Sequence, residues 1–313
     1  MSSPARKTAE RLGKPLRSGA LVATIAALAI GCGDPASSPA VDGASSPAAR
    51  KEFTLPLPAA VAMVTDPGGE PRDIVGLRVA PGQQQQVLLR TTTQVRQQID
   101  AQPDQDFSSP ALTIPLTALP DANGVKLTLG KIVAADAGLT TRLASSEGST
   151  AGLATNPHGG VTALRISPDP DADDEARKAI EQALYQAVYQ AITFPDKPIG
   201  LGAVWTIRQQ VDGSVELDQV TTARLAARTG NRLTVTVHIE QQPRSAVWSL
   251  PNNAGVLNID SYVMRGSGTV TVDLGMPLPV SGNIVVAGEQ SYSDPGGASR
   301  LKQFTRNQVQ WGE

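Results

Sequence analysis

The chain has one cysteine, two histidines and 4% aromatic residues among its 313. A single cysteine rules out an intrachain disulfide, so packing must supply the stability of whatever folds. Two histidines fall short of the three or four ligands of a zinc site, and no spacing of carboxylates suggests that they complete one. Scarce aromatics argue against an open groove that stacks sugars or bases. Only Trp205, Trp248 and Trp311 are available for such stacking, and a core takes at least one of them. Residues after the first 31 include 22 basic and 28 acidic groups. That acidic balance is the opposite of a nucleic-acid footprint. Several catalytic signatures are missing as well. There is no Gly-x-Ser-x-Gly elbow, because Gly266-Ser267-Gly268 is too short. No phosphate loop ends in Gly-Lys-Ser/Thr. Gly200-x-Gly202 precedes a strand rather than a helix, so it reads as a tight turn that lets Trp205 dock, not as a dinucleotide fingerprint. Paired carboxylates for glycoside hydrolysis meet only in space and leave no linear signature.

What is present starts at the N-terminus. Arg6, Lys7, Arg11, Lys14 and Arg17 outweigh Glu10 in a basic leader. The apolar run Ala20–Ile30 follows, with eleven residues. A helix that crosses a bilayer needs about 20, whereas a signal h-region is this short. Gly31 and Cys32 come next. The order reads as a bacterial lipoprotein signal over residues 1–31, cut before Cys32, whose sulfur takes the lipid. Ala29 stands where such signals most often have leucine, and Leu28 is one place early. The rival is an ordinary secretory signal, which would leave Cys32 a stray thiol. Residues 32–69 then form the lipidated cysteine and a tether. Its first part, to about Lys51, is Pro, Ala, Ser and Gly with almost nothing to bury.

Residues 70–313 read as a β-rich domain. Arg72–Val79 is a short strand candidate, and Gln83–Ile99 a long one with Thr91-Thr92-Thr93 at its centre. Leu112, Ile114 and Leu116 alternate, and Asp121-Ala122-Asn123-Gly124 carries a hairpin signal before Val125, Leu127 and Leu129. Strands are also expected over 161–166, 203–211, 214–228, 232–242, 256–265, 268–274, 282–290 and 300–311. Asp-Gly and Gly-Asn pairs separate several of them. One helix interrupts the strands, placed at about Asp173–Thr193. Its apolar stripe is Ile180, Leu184, Val188 and Ile192, with one face on the sheet, and Phe194-Pro195 ends it. The fold class is α+β: mostly antiparallel β of about ten to twelve strands, as a curved sheet or half-barrel, with that long amphipathic helix. Lobes at 70–168 and 195–313 joined by the helix are a possible division.

Certain segments carry a resemblance. They are Leu77-Arg78-Val79-Ala80-Pro81-Gly82-Gln83, Asn156-Pro157-His158-Gly159-Gly160-Val161, the run from Phe194 through Pro198-Ile199-Gly200-Leu201-Gly202-Ala203-Val204 to Trp205, and Gly266-Ser267-Gly268. Over about residues 70–310 the chain resembles an uncharacterised bacterial family of exported, often lipid-anchored proteins, a domain of unknown function. The resemblance implies an envelope location and a β-rich domain. It brings no catalytic residues.

The remaining candidates are few. Asp169-x-Asp171-x-Asp173 opens like a calcium loop, but Asp174 and Ile180 stand where the loop needs Gly and Glu. Helix capping accounts for these acids. His158 lies in a turn and His238 on the polar face of a strand. Tyr185 and Tyr189 flank the helical stripe one turn apart, where they can line a cavity mouth or cover the sheet edge. Together with Leu184 and Val188 they are the candidate ligand-binding residues. No cofactor or metal is expected, and no nucleic-acid partner. The first functional reading is a lipid-anchored, extracytoplasmic interaction or structural module without catalysis, attached to the membrane through the lipid on Cys32 and meeting an envelope protein. The second is an envelope carrier that holds an apolar, lipid-like ligand between curved sheet and helix. A dry pocket of Leu, Val and Ile would favour the carrier, and a filled core the module.

Overall fold

A computed structural model of the chain describes residues 52–122, 124–169 and 171–312. The leader, Cys32 and the tether as far as Lys51 lie outside the described residues. In chain order the elements are β1 (Phe53–Pro56), β2 (Val61–Asp66), β3 (Gln85–Ile99), β4 (Gln105–Asp106), β5 (Ser109–Asp121), β6 (Gly124–Leu129) and β7 (Val133–Ala134). Then come α1 (Ala137–Leu143), β8 (Thr150–Thr155), β9 (Val161–Ser167), α2 (Asp174–Tyr189), β10 (Val204–Val211), β11 (Leu217–Thr229) and β12 (Arg232–Pro243). The chain finishes with β13 (Val247–Ser249), β14 (Val256–Asp273), β15 (Ser281–Ser293) and β16 (Arg300–Gly312).

All strands join one open sheet. Its order is β1-β9-β8-β6-β5-β3-β16-β15-β14-β12-β11-β10-β2, with β13 beside β14, β4 beside β3 and β7 beside β5. The mostly antiparallel architecture is as expected. The finer reading needs correction, because the described residues hold sixteen strands and two short helices, not ten to twelve strands and one long helix. The two halves of the chain share one sheet, since β3 pairs with β16 from Leu88–Gly312 to Ile99–Leu301. The sheet also begins earlier than residue 70. β1 pairs with β9 and β2 with β10, which takes residues 53–66 out of the tether. Arg72–Val79, in contrast, makes only the isolated bridge Asp73–Ile199. The expected break at Gly266-Ser267-Gly268 is absent, and β14 runs through it.

The sheet curls, and the chain shows why. β1 and β2 are the two ends of the strand order, yet only residues 57–60 separate them. Five Cα–Cα steps reach at most about 18 Å, so the two borders must come that close. Leu57 N–H still bonds to Thr162 on the β9 side (2.9 Å), and Gln209 on β10 reaches the Pro58 carbonyl (3.4 Å). Glycine permits close contact between strands of the wall. A Cβ on Gly288 would lie 1.6 Å from the Val263 carbonyl oxygen, so no other residue fits at that crossing of β15 and β14.

α2 fills the concave side. Asp173 caps it, accepting from Glu175 N (2.9 Å) and Ala176 N (3.2 Å), as the acidic run predicts. The helix ends at Tyr189, a turn earlier than expected. Beyond it the chain straightens, and Ile192 and Phe194 pack into a second apolar cluster. Seven consecutive residues, Ala183–Tyr189, are buried. The last two turns are therefore enclosed all round, rather than lying with one face on the sheet. Around the helix, Leu89, Ile114, Leu127 and Leu164 from β3, β5, β6 and β9 make one cluster. Trp205, Leu225, Val235, Val270 and Val286 from β10, β11, β12, β14 and β15 make the second. Gly200 and Gly202 form the expected turn: Gly202 has φ +84°, and a Cβ on Gly200 would meet the Gly69 carbonyl oxygen at 1.7 Å. Past that turn Trp205 is fully buried against Phe194 (centroids 5.9 Å apart). Among the described residues, no helix is long and apolar enough to cross a membrane.

Candidate functional site

Among the recesses beside α2, two differ in character. The first is apolar, with a volume of about 70 Å³, and Leu184, Val188, Leu127, Phe194, Leu278 and Trp311 border it. Of the four residues expected to hold a ligand, Leu184 and Val188 thus face a recess. Tyr185 and Tyr189 are placed differently. Both are buried, edge to face at 4.7 Å, with their hydroxyls 3.2 Å apart. The Tyr185 hydroxyl donates to the Asp212 carbonyl (2.5 Å), and Asp212 N–H donates to the Tyr189 hydroxyl (3.3 Å). The pair clamps the turn between β10 and β11 and lines neither recess. The two histidines lie apart in the fold. His158 sits in the turn between β8 and β9, where its carbonyl accepts from Phe194 N–H (2.8 Å). His238 is exposed on the outer face of β12.

The second recess is polar, and the sequence reading missed it. It has a volume of about 140 Å³ and lies between the C-terminal half of α2 and strands β3, β12, β14, β15 and β16. Strand geometry builds its wall. Successive side chains alternate across a sheet, so Gln303, Thr305 and Asn307 of β16 share the inner face with buried Leu301 and Val309. By the same parity Gln97 on β3 and Gln241 on β12 face inward.

These inward amides are ordered by chains of hydrogen bonds. Gln97 Nε2 donates to Gln303 Oε1 (3.0 Å), Gln303 Nε2 to Thr305 Oγ1 (2.9 Å), and Thr305 Oγ1 to Gln290 Oε1 (3.3 Å). Across the chamber, Gln241 Nε2 donates to Gln219 Oε1 (2.8 Å) and Gln219 Nε2 to the Tyr189 carbonyl (3.0 Å). Gln186 on α2 donates to Thr93 Oγ1. Burial demands such partners, because an unpaired amide inside costs about 1–3 kcal/mol. Trp248 and Tyr292, with ring centroids 5.0 Å apart, close one end of the chamber with Leu301.

The electrostatics are close to neutral. Among the described residues lining the chamber, Asp212 alone carries a formal charge. Its pKa is raised, first by partial burial and then by nearby Glu216, with Arg244 acting against both. Burial pushes the phenols of Tyr262 and Tyr292 well above their ordinary value, so both stay protonated. Amides, alcohols and phenols do not exchange protons near neutral pH. Asp212 apart, the polar side chains of the chamber are neutral groups that donate and accept hydrogen bonds. Among the described residues, no cluster of three or more His, Cys, Asp or Glu is grouped to hold a metal. Compared with protein-family models the chain matches none, and no curated protein matches it.

Proposed function

We propose that the chain is a lipid-anchored protein of the bacterial cell envelope whose extracytoplasmic domain acts by interaction, without catalysis. The address rests on the basic leader, the eleven-residue apolar run and the cysteine that ends it. The resemblance of residues 70–310 to exported, often lipid-anchored proteins agrees with that address. The observation that carries the choice of module over lipid carrier is the packing of α2. The helix occupies the hollow of the curled sheet, and the apolar recess left beside it is about 70 Å³. An apolar cavity of about 150 Å³ is what one benzene requires. A long acyl chain has no room there without expelling the helix.

The anchor and the module are tested separately. Mass spectrometry of the mature N-terminus should find a lipid on Cys32, and Cys32→Ser should release the protein from membranes. An unmodified thiol, or unchanged membrane association of the variant, overturns the anchor. Organic extraction of the purified domain should yield no stoichiometric lipid. Recovery of one lipid per chain overturns the module and favours the carrier.

A further inference from the structure

The open sheet has two borders, and one of them is left unguarded. Native edge strands are blunted by charges, prolines or bulges, because their free N–H and C=O groups pair with any strand that comes near. Residues 53–65, which supply β1 and all of β2 except Asp66, carry no charge. Pro56 and Pro58 blunt β1. β2 has neither proline nor lysine, and its one irregularity is a bulge opposite Val204 and Trp205, at the Asp66 end. β10 holds one side of β2, and among the described residues no strand pairs with the other.

The same border collects exposed apolar side chains. Among the described residues the four most exposed large ones are Val61 (61%), Leu201 (58%), Met63 (55%) and Ile74 (54%). Val61 and Met63 stand on the outer face of β2, while Ala62 and Val64 pack inward on the second apolar cluster. The Leu201 carbonyl accepts from Gly69 N–H just past β2 (2.9 Å), and Ile74 follows Asp73, which bridges to Ile199. Apolar groups gathered in the open mark a contact surface. A lipid surface would take the side chains but leave the free backbone groups unpaired, whereas a strand satisfies both.

The molecule itself supplies a matching strand, a second β2. Opposite residues of an antiparallel pair lie on one face. Pairing two copies about Met63 therefore sets Met63 against Met63 and Val61 against Thr65 on the outer face, with Ala62 against Val64 on the inner. The charges agree as well. Arg208 is exposed, lies beside Val61 in register, and makes no ion pair among the described residues. The pairing turns the Asp66 end of the second copy toward it, twice by symmetry, and keeps the two Asp66 residues about 20 Å apart.

We infer that β2 is a dimer interface, through which two copies of the chain join their sheets across a two-fold axis at Met63. The inference stands apart from the anchor at Cys32 and from the lipid-free interior.

The test is sedimentation velocity on the mature chain, carrying Cys32→Ser so that neither lipid nor thiol intervenes. A monomer–dimer equilibrium should appear below about 300 μM, weak because the pairing of one short strand is smaller than a standard interface of about 800 Å² per partner. Met63→Lys sets two ammonium groups face to face on the axis and should weaken the dimer about tenfold or more, at a parental melt because the side chain is exposed. Met63→Cys in the same background should give a disulfide-linked dimer on mild oxidation, its two Cα atoms lying about 5 Å apart. Val61→Cys should not, its two copies standing about 13 Å apart. The disulfide reads the register whether or not the lysine variant folds. A monomer at every concentration overturns the inference. So does a dimer unchanged in folded Met63→Lys, or crosslinking of Val61→Cys equal to that of Met63→Cys. Flotation of a monomeric chain with phosphatidylcholine–phosphatidylglycerol vesicles, abolished by Met63→Lys, assigns the border to a lipid surface and overturns it too.

Discussion

Replacing Trp205 tests the account of the core most directly. The side chain is fully buried, it packs on Phe194, and its Nε1 donates to the Thr193 carbonyl at 2.9 Å. Trp205→Ala removes the largest fully buried side chain and leaves a void beside Phe194 and Ile199, both buried. Such truncations cost about 3–5 kcal/mol, the upper end applying where the site cannot collapse. Collapse is resisted here. Backbone on either side of Trp205 is tied into β2 and β11, with Trp205 opposite Val64 and Ala223. A domain of this length then melts roughly 6–20 °C lower. Trp205→Phe separates volume from hydrogen bond. It keeps most of the ring but strands the Thr193 carbonyl, so a cost of about 1–2.5 kcal/mol is expected. Urea unfolding followed by circular dichroism measures both. A Trp205→Ala midpoint equal to that of the parent would refute the placement of this residue in the core. Equal damage from Phe and Ala would refute the claim that volume dominates.

Three further outcomes are expected. Asp173→Ala removes the side chain that accepts from Glu175 N and Ala176 N, and should lower stability by about 1 kcal/mol in the same assay; no change would mean that Asp174 or Glu175 has taken over the cap. Gly288→Ala should prevent β14 and β15 from pairing, because the clash is with backbone, and soluble protein with a parental melt would show that the crossing is looser than described. Asp100 accepts from Arg300 N (2.7 Å) and Ser299 Oγ (2.8 Å), and these bonds hold its pKa below the ordinary value. A lowered folded-state pKa contributes stability above the unfolded value of about 4, and that contribution is lost as pH falls through the folded value. Urea midpoints should therefore drop on acidification in that window, with a smaller drop in Asp100→Asn; identical acid profiles would refute the clasp.

The strand pattern was legible where period and turn chemistry agreed. Leu233, Val235, Val237 and Ile239 alternate with Thr234, Thr236, His238 and Glu240, and β12 buries the first set. Asp121 and Gly124 pair across the predicted hairpin. Short segments were not legible. The four residues of β1, ending in Pro56 with Pro58 two places on, carry too little period to register, and only the distant β9 makes them a strand. α1 is one such segment too: Asp136 caps it, accepting from Leu139 N at 2.6 Å, but seven residues hold hardly two turns. The end of α2 was misjudged because Ile192 continues the helical stripe in sequence while packing into a different cluster. The polar chamber had a signal that went unused. Leu301, Gln303, Thr305, Asn307 and Val309 must all share one side of a strand, so the apolar residues at both ends place the polar ones between them indoors. What no linear pattern supplies is the meeting of β16 with β3, which puts Gln303 beside Gln97.

That meeting joins positions 200 residues apart, as at Arg300 and Asp100. Until β16 (Arg300–Gly312) is made, the wall keeps a gap between β3 and β15. Loss of β16 therefore yields an unzipped protein rather than a shortened one. Its β3 and β15 borders are bare and ready to recruit neighbouring chains.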